Sequence, residues 1–92
     1  MIHKKYTIVK WLFKNLAQNT RRFVVEIYFR QRLQQLREKK RISRKVLSEL
    51  CGLYPDAVRK YERGEAEPSM ASLVVLAEYF EVSVDYLLGI EK

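Results

Sequence analysis

SRKVLSELCGLYPDAVRKYERG, residues 43–64, is the stretch whose reading decides the fold. Ser43 offers a side-chain oxygen to the unpaired N–H groups of a first helical turn, which predicts a short helix over Arg44–Cys51. Val46, Leu47, Leu50 and Cys51 supply its apolar stripe. Gly52 follows where a chain leaving a helix needs a positive φ, a conformation glycine adopts without a Cβ penalty. Tyr54-Pro55 then opens a second helix, with Pro at the first helical position, where its missing N–H costs nothing. That helix runs to about Arg63 and stops at Gly64, with Val58 and Tyr61 facing inward. Two short helices joined by Cys51-Gly52-Leu53 leave the second free to project from the surface.

The flanks extend the same pattern. Upstream, FRQRLQQLREKK (residues 29–40) places Phe29, Leu33 and Leu36 on one helical face. Downstream, Pro68-Ser69 caps a fourth helix in which Met70, Leu73, Val74, Leu76, Ala77 and Phe80 point inward. Ser83 caps a last short helix carrying Val84, Leu87 and Leu88, closed by Gly89. Five short helices with tight connections are therefore expected after residue 28, with no strand signal among them.

Residues 1–28 read as a basic amphipathic extension. Ile8, Leu12 and Leu16 align at helical spacing with Val9 and Phe13 beside them, and Lys10, Lys14 and Gln18 form the opposite face. Asn19-Thr20 marks a break and a cap. FVVEIYF (residues 23–29) suits a strand by its β-branched and aromatic content. Yet Val25, Phe29, Leu33 and Leu36 continue one stripe, which favours a helix that merges with the next. The extension can pack as an extra core layer, form a dimer interface through Trp11, Phe13 and Phe23, add phosphate contacts, or lie on an anionic membrane.

Composition narrows the function. The 92 residues carry 18 Lys+Arg against 11 Asp+Glu, a net charge of +7. The excess is uneven: residues 1–30 sum to +6, residues 31–63 to +6 and residues 64–92 to −5. One basic end and one acidic end suit a molecule that turns a single face to a polyanion. An enzyme is not expected, given the lone histidine, His3, the single cysteine and the lack of a Gly-rich phosphate loop. No metal ligand set and no cofactor are implied. No apolar run reaches the ~20 residues of a membrane span, and one cysteine fits a reducing cytoplasm.

From Tyr28 to Gly89 the chain resembles the Xre/Cro-type, lambda-repressor-like helix-turn-helix family. The carriers are RLQQLREKKRIS (Arg32–Ser43), LCGLY (Leu50–Tyr54), VRKYERGEAEPS (Val58–Ser69) and LAEYFEVSVDYLLG (Leu76–Gly89), in that order. The resemblance implies an all-α, five-helix lambda-repressor-like domain over residues 29–92, preceded by the extension 1–28. It also implies a sequence-specific transcriptional regulator that binds double-stranded DNA, commonly as a homodimer, in a bacterial, phage or mobile-element setting. The alternative is a protein-interaction or antitoxin-like module on the same fold with weak DNA affinity.

Residue roles follow from the same resemblance. Arg37 and Glu62 match a pair that joins the first and third helices, as a guanidinium can grip a carboxylate through two parallel bonds. Arg44 and Lys45 fall at the phosphate-contacting start of the second helix. Base readers map to Pro55, Asp56, Arg59 and Lys60, with Tyr54 and Ala57 near backbone or bases. Arg59 or Lys60 can donate to guanine O6 and N7, and Asp56 can accept from cytosine N4.

Four departures stand out. Arg41 stands where the family often has Gly, Arg44 stands for a common Gln, Cys51 stands for Leu, and Glu65 and Glu67 occupy a loop where cations are frequent. Val75 and Tyr79, spaced i, i+4 on the fourth helix, form a second candidate dimer patch.

Overall fold

Apolar spacing and capping chemistry divide the chain into helices at nearly the expected places. The computed structural model describes residues 22–90, and every regular element among them is helical. Helix α1 covers residues 22–39, α2 Arg44–Leu50, α3 Ala57–Arg63, α4 Met70–Phe80 and α5 Val84–Leu88. The expectations placed on His3, Ile8, Val9, Lys10, Trp11, Leu12, Phe13, Lys14, Leu16, Gln18 and Asn19-Thr20 lie outside the described residues.

Residues 23–29 resolve as helix and run into 30–39 without a break, so α1 crosses the expected division at 28/29. Burial of the continuous stripe outweighs the β preference of its valines and aromatics. Phe29 and Leu33 sit in the core, and Phe29 meets Tyr61 with ring centroids 6.0 Å apart.

Three serines start helices by the same device. Ser43 accepts from Val46 N–H, Ser69 from Ser72 N–H and Ser83 from Tyr86 N–H. All five helices end alike, in a left-handed residue whose N–H, with that of its successor, closes onto carbonyls of the last turn. At α1, Arg41 N–H bonds Glu38 O at 2.9 Å and Ile42 N–H bonds Arg37 O at 3.4 Å. Gly52, Gly64 and Gly89 hold this place after α2, α3 and α5, whereas Arg41 and Glu81 hold it after α1 and α4, both at φ 56°.

Four expectations are corrected. Val46 and Leu50 are 41% and 59% exposed; the buried side of α2 is Leu47, Ser48 and Cys51. Met70 and Val74 are 85% and 47% exposed, and the inner face of α4 is Leu76, Ala77 and Phe80. Val75 and Tyr79 pack partly against the core instead of forming an open patch; Tyr79 sets its ring edge on Phe80 at 5.0 Å and lies beneath Lys40 Nζ at 4.4 Å. Finally, α3 begins at Ala57. Pro55-Asp56 forms a turn in which Ala57 N–H bonds Tyr54 O at 3.0 Å.

The middle of α1 is braced to α5 and its cap. Arg32 lies between the rings of Tyr28 and Tyr86, 5.1 and 4.3 Å from their centroids, and donates to Tyr86 O. A Cβ on Gly89 would fall 2.4 Å from Tyr28 Cγ, so only glycine fits beneath that ring.

Candidate nucleic-acid interface

The site is set by how α2 and α3 are locked together. Ser48, fully buried, donates its hydroxyl to Arg44 O at 2.9 Å and accepts from Val58 N–H at 3.1 Å. One side chain thus ties the interior of α2 to the first turn of α3. Leu47 and Val58 pack in the core beside it, and Gly52 turns the chain between them at φ 68°. Cys51 is buried, and desolvation pushes its thiol above the ordinary range, so it serves as a small apolar group.

Helix α3 is also held from α1. Arg37 and Glu62 are both buried, and they form a two-bond pair: Nε to Oε2 at 2.6 Å and NH2 to Oε1 at 3.0 Å. That bond to Glu62 raises the Arg37 guanidinium further above its usual value. Arg37 NH1 also donates to Ile42 O at 2.9 Å, and Arg30 Nε to Glu62 O at 3.1 Å. Arg44 joins the same carboxylate, Nε to Oε1 at 3.1 Å, while its side chain stays about half exposed. No pattern in the sequence marks Ser48, Arg30 or the second arginine on Glu62, because each bond joins residues far apart in the chain or makes use of a backbone atom.

Around this frame the surface opens into a recess of about 610 Å³ lined by Arg37, Ser43, Arg44, Lys45, Pro55, Asp56 and Arg59. The sequence-expected residues Arg44, Lys45, Pro55, Asp56 and Arg59 therefore share one concavity. Tyr54 is exposed beside it, with Lys60 Nζ 5.8 Å from its ring centroid. Ala57 is corrected: it is fully buried, because the start of α3 turns that Cβ into the core, and its side chain has no access to a ligand.

The cations of α3 are partly answered by acids. Arg59 NH2 lies 3.3 Å from Asp56 Oδ2, and hydrogen bonding to Arg59 holds the Asp56 carboxyl below its usual range. Arg63 Nε lies 3.4 Å from Glu65 Oε1, and Glu67 pairs with Arg22 at 3.2 Å. Both loop acids are therefore engaged. Among the described residues no Asp or Glu pairs with Lys45 or Lys60 within 4.0 Å. No group of His, Cys, Asp or Glu among those residues could hold a metal ion, and no helix among them is long and apolar enough to cross a membrane.

Two short helices locked at a glycine turn, with a cation-lined recess between them, define a helix-turn-helix. A family model described as Helix-turn-helix matches residues 33–87, from within α1 to within α5, and the chain belongs to that family. Among curated proteins it is similar to the uncharacterized HTH-type transcriptional regulator YobD of Bacillus subtilis (strain 168), 38% identical over 60 residues, covering 65% of this chain and 54% of that protein. It is 39% identical over 61 residues to the HTH-type transcriptional regulator AnsR of the same organism, covering 66% and 53%. It is 36% identical over 64 residues to the HTH-type transcriptional activator BcrR of Enterococcus faecalis, covering 70% and 31%. The match thus spans about half of the first two relatives and less than a third of the last. No solved structure gives a significant match.

Proposed function

We propose that this protein is a sequence-specific DNA-binding transcriptional regulator that acts as a cytoplasmic homodimer, with residues 29–92 as its DNA-binding unit and no enzymatic role. The observation that carries the reading is the recess between α2 and α3, where Arg44, Lys45 and Arg59 converge beside the exposed edge of α3. A B-DNA major groove is about 12 Å wide and admits a helix presented in this way.

In this reading Arg44 and Lys45 contact phosphates and set the docking register without reading sequence. Arg44 reaches the backbone while Glu62 holds its Nε, so its position is fixed before DNA arrives. Lys60 and Arg59 donate to guanine O6 and N7, Asp56 accepts from cytosine N4, and Tyr54 and Pro55 pack their rings against the duplex at the mouth of the recess. Arg37 and Glu62 fix the angle at which α3 leaves the body. Two copies would read half-sites about 34–36 Å apart. The regulators YobD, AnsR and BcrR support the same class by their names.

The test is a titration against duplex DNA over a salt series. Neutralising about six phosphates predicts a slope of log K against log salt of about −5. A protein that binds no duplex at low salt would instead be an interaction module.

A further inference from the structure

An aspartate at the start of a helix ordinarily turns its carboxylate onto the free N–H groups of the first turn. Asp56 stands in that place ahead of α3 and makes no such bond. Its carboxylate runs along the helix to Arg59 instead, with Oδ2 3.3 Å from NH2 and Oδ1 3.5 Å from Nε. From the other side Glu65 Oε2 comes within 4.0 Å of Arg59 NH1. The arginine best placed on the outer edge of α3 is thus held between two acids, one of which lines the recess with it.

The pair is open to water: the Asp56 side chain is 60% exposed and that of Arg59 36%. Exposed pairs of this kind are weak and salt-screened, so they exchange partners readily. A phosphate entering the recess meets the Asp56 carboxylate and finds Arg59 already engaged. A G·C pair offers something better to both groups: two acceptors in one plane for the guanidinium and an amino donor for the carboxylate. Only the second kind of target satisfies both members when they separate.

We propose that Asp56 is a specificity-determining latch on α3, holding Arg59 back from phosphate and releasing it to a base pair that satisfies both side chains. This rests on the DNA-reading function proposed above. The latch acts by lowering affinity for the wrong sequence, because an Arg59 engaged by Asp56 contributes less to non-specific attraction. Discrimination on this edge of α3 therefore comes from a charge that opposes DNA.

The full chain tests it, using a duplex selected from a random pool and a scrambled duplex of equal length. Wild type, Asp56→Asn, Arg59→Gln and the double variant are titrated against both over a salt series, with far-UV circular dichroism checking the fold. Asp56→Asn is expected to bind the scrambled duplex about threefold to fivefold more tightly, with a salt slope steeper by about one as Arg59 takes a phosphate. Its preference for the selected duplex falls. In the Arg59→Gln background the same change has little effect. The latch is overturned if Asp56→Asn leaves scrambled-duplex binding and preference unchanged, or if it acts equally with and without Arg59, since the carboxylate would then act by repulsion alone. If wild type itself binds neither duplex at low salt, the DNA reading fails and the latch with it.

Discussion

Glu62 does the work of several residues. Its buried carboxylate meets Arg37 through two bonds and Arg44 through a third, and its carbonyl receives Arg30. Removing the charge from a buried pair leaves the partner unanswered, which costs about 3–5 kcal/mol; the solvent-exposed edge of Arg44 lowers this somewhat. Glu62→Gln is expected to destabilise the fold by about 3 kcal/mol, read as a fall in melting temperature on the order of 10–20 °C. A variant melting within a few degrees of wild type would show that Arg37 finds water or Ile42 O sufficient. At the two non-glycine helix stops the expectation has the opposite sign. Arg41 and Glu81 sit at φ 56°, where an L side chain costs about 1–2 kcal/mol. After glycine's own entropic penalty, Arg41→Gly and Glu81→Gly should each raise the melting temperature by several degrees. Cys51, buried and with its thiol pushed up, should resist alkylation in the folded protein and react quickly once denaturant is added.

At the level of elements, starts and stops were legible because each is a local chemical event. Ser43, Ser69 and Ser83 cap as expected, and Gly52, Gly64 and Gly89 terminate. The faces were less legible. Helix α2 has two turns with apolar residues on more than one side, so Val46 and Leu50 competed with Leu47 and Cys51 for the inward stripe, and only packing against α3 decides. Burial of Ser48 was invisible because its partners are the Arg44 carbonyl and the Val58 N–H ten residues on. The start of α3 was misplaced because a proline serves equally as a first helical residue or as part of a turn. The resemblance puts Ala57 near backbone or bases, whereas packing turns its Cβ into the core beside Val58. These faces give a sharp contrast in stability. Leu47→Ala should cost about 2–5 kcal/mol, and Ser48→Ala about 1–3 kcal/mol by leaving the Val58 N–H unanswered. Leu50→Ala, on the open side, should fall within about 0.5 kcal/mol of wild type. Chemical denaturation of the three variants checks the order.

Across the whole molecule, the sequence reading located the charge and the Arg37–Glu62 pair, but not the pairing of the surface arginines. The net +6 of residues 31–63 is shared among α1, α2 and α3, and Arg44, Arg59 and Arg63 each face a carboxylate. The long-range attraction is therefore smaller than a count of arginines suggests, and Lys45 and Lys60 should dominate the salt response. Lys45→Ala is expected to weaken binding to every duplex alike and to flatten the salt slope by about one. Lys60→Ala should cost about 1–3 kcal/mol of discrimination and relax preference at one base position. Identical effects from the two variants would remove the division of labour between phosphate and base contact.

The notch at Gly89 reaches further than its size suggests. It exists to admit a ring from Tyr28, five residues ahead of where the family match begins, and the same ring shelters Arg32 against Tyr86. Trimming this protein to residues 33–87 would remove Tyr28, Arg32 and Gly89 together and strip one wall from the α5 end of the core. The prefix has become a keystone for the inherited domain, so the shortest autonomous folding unit should be longer than the motif that defines its kinship.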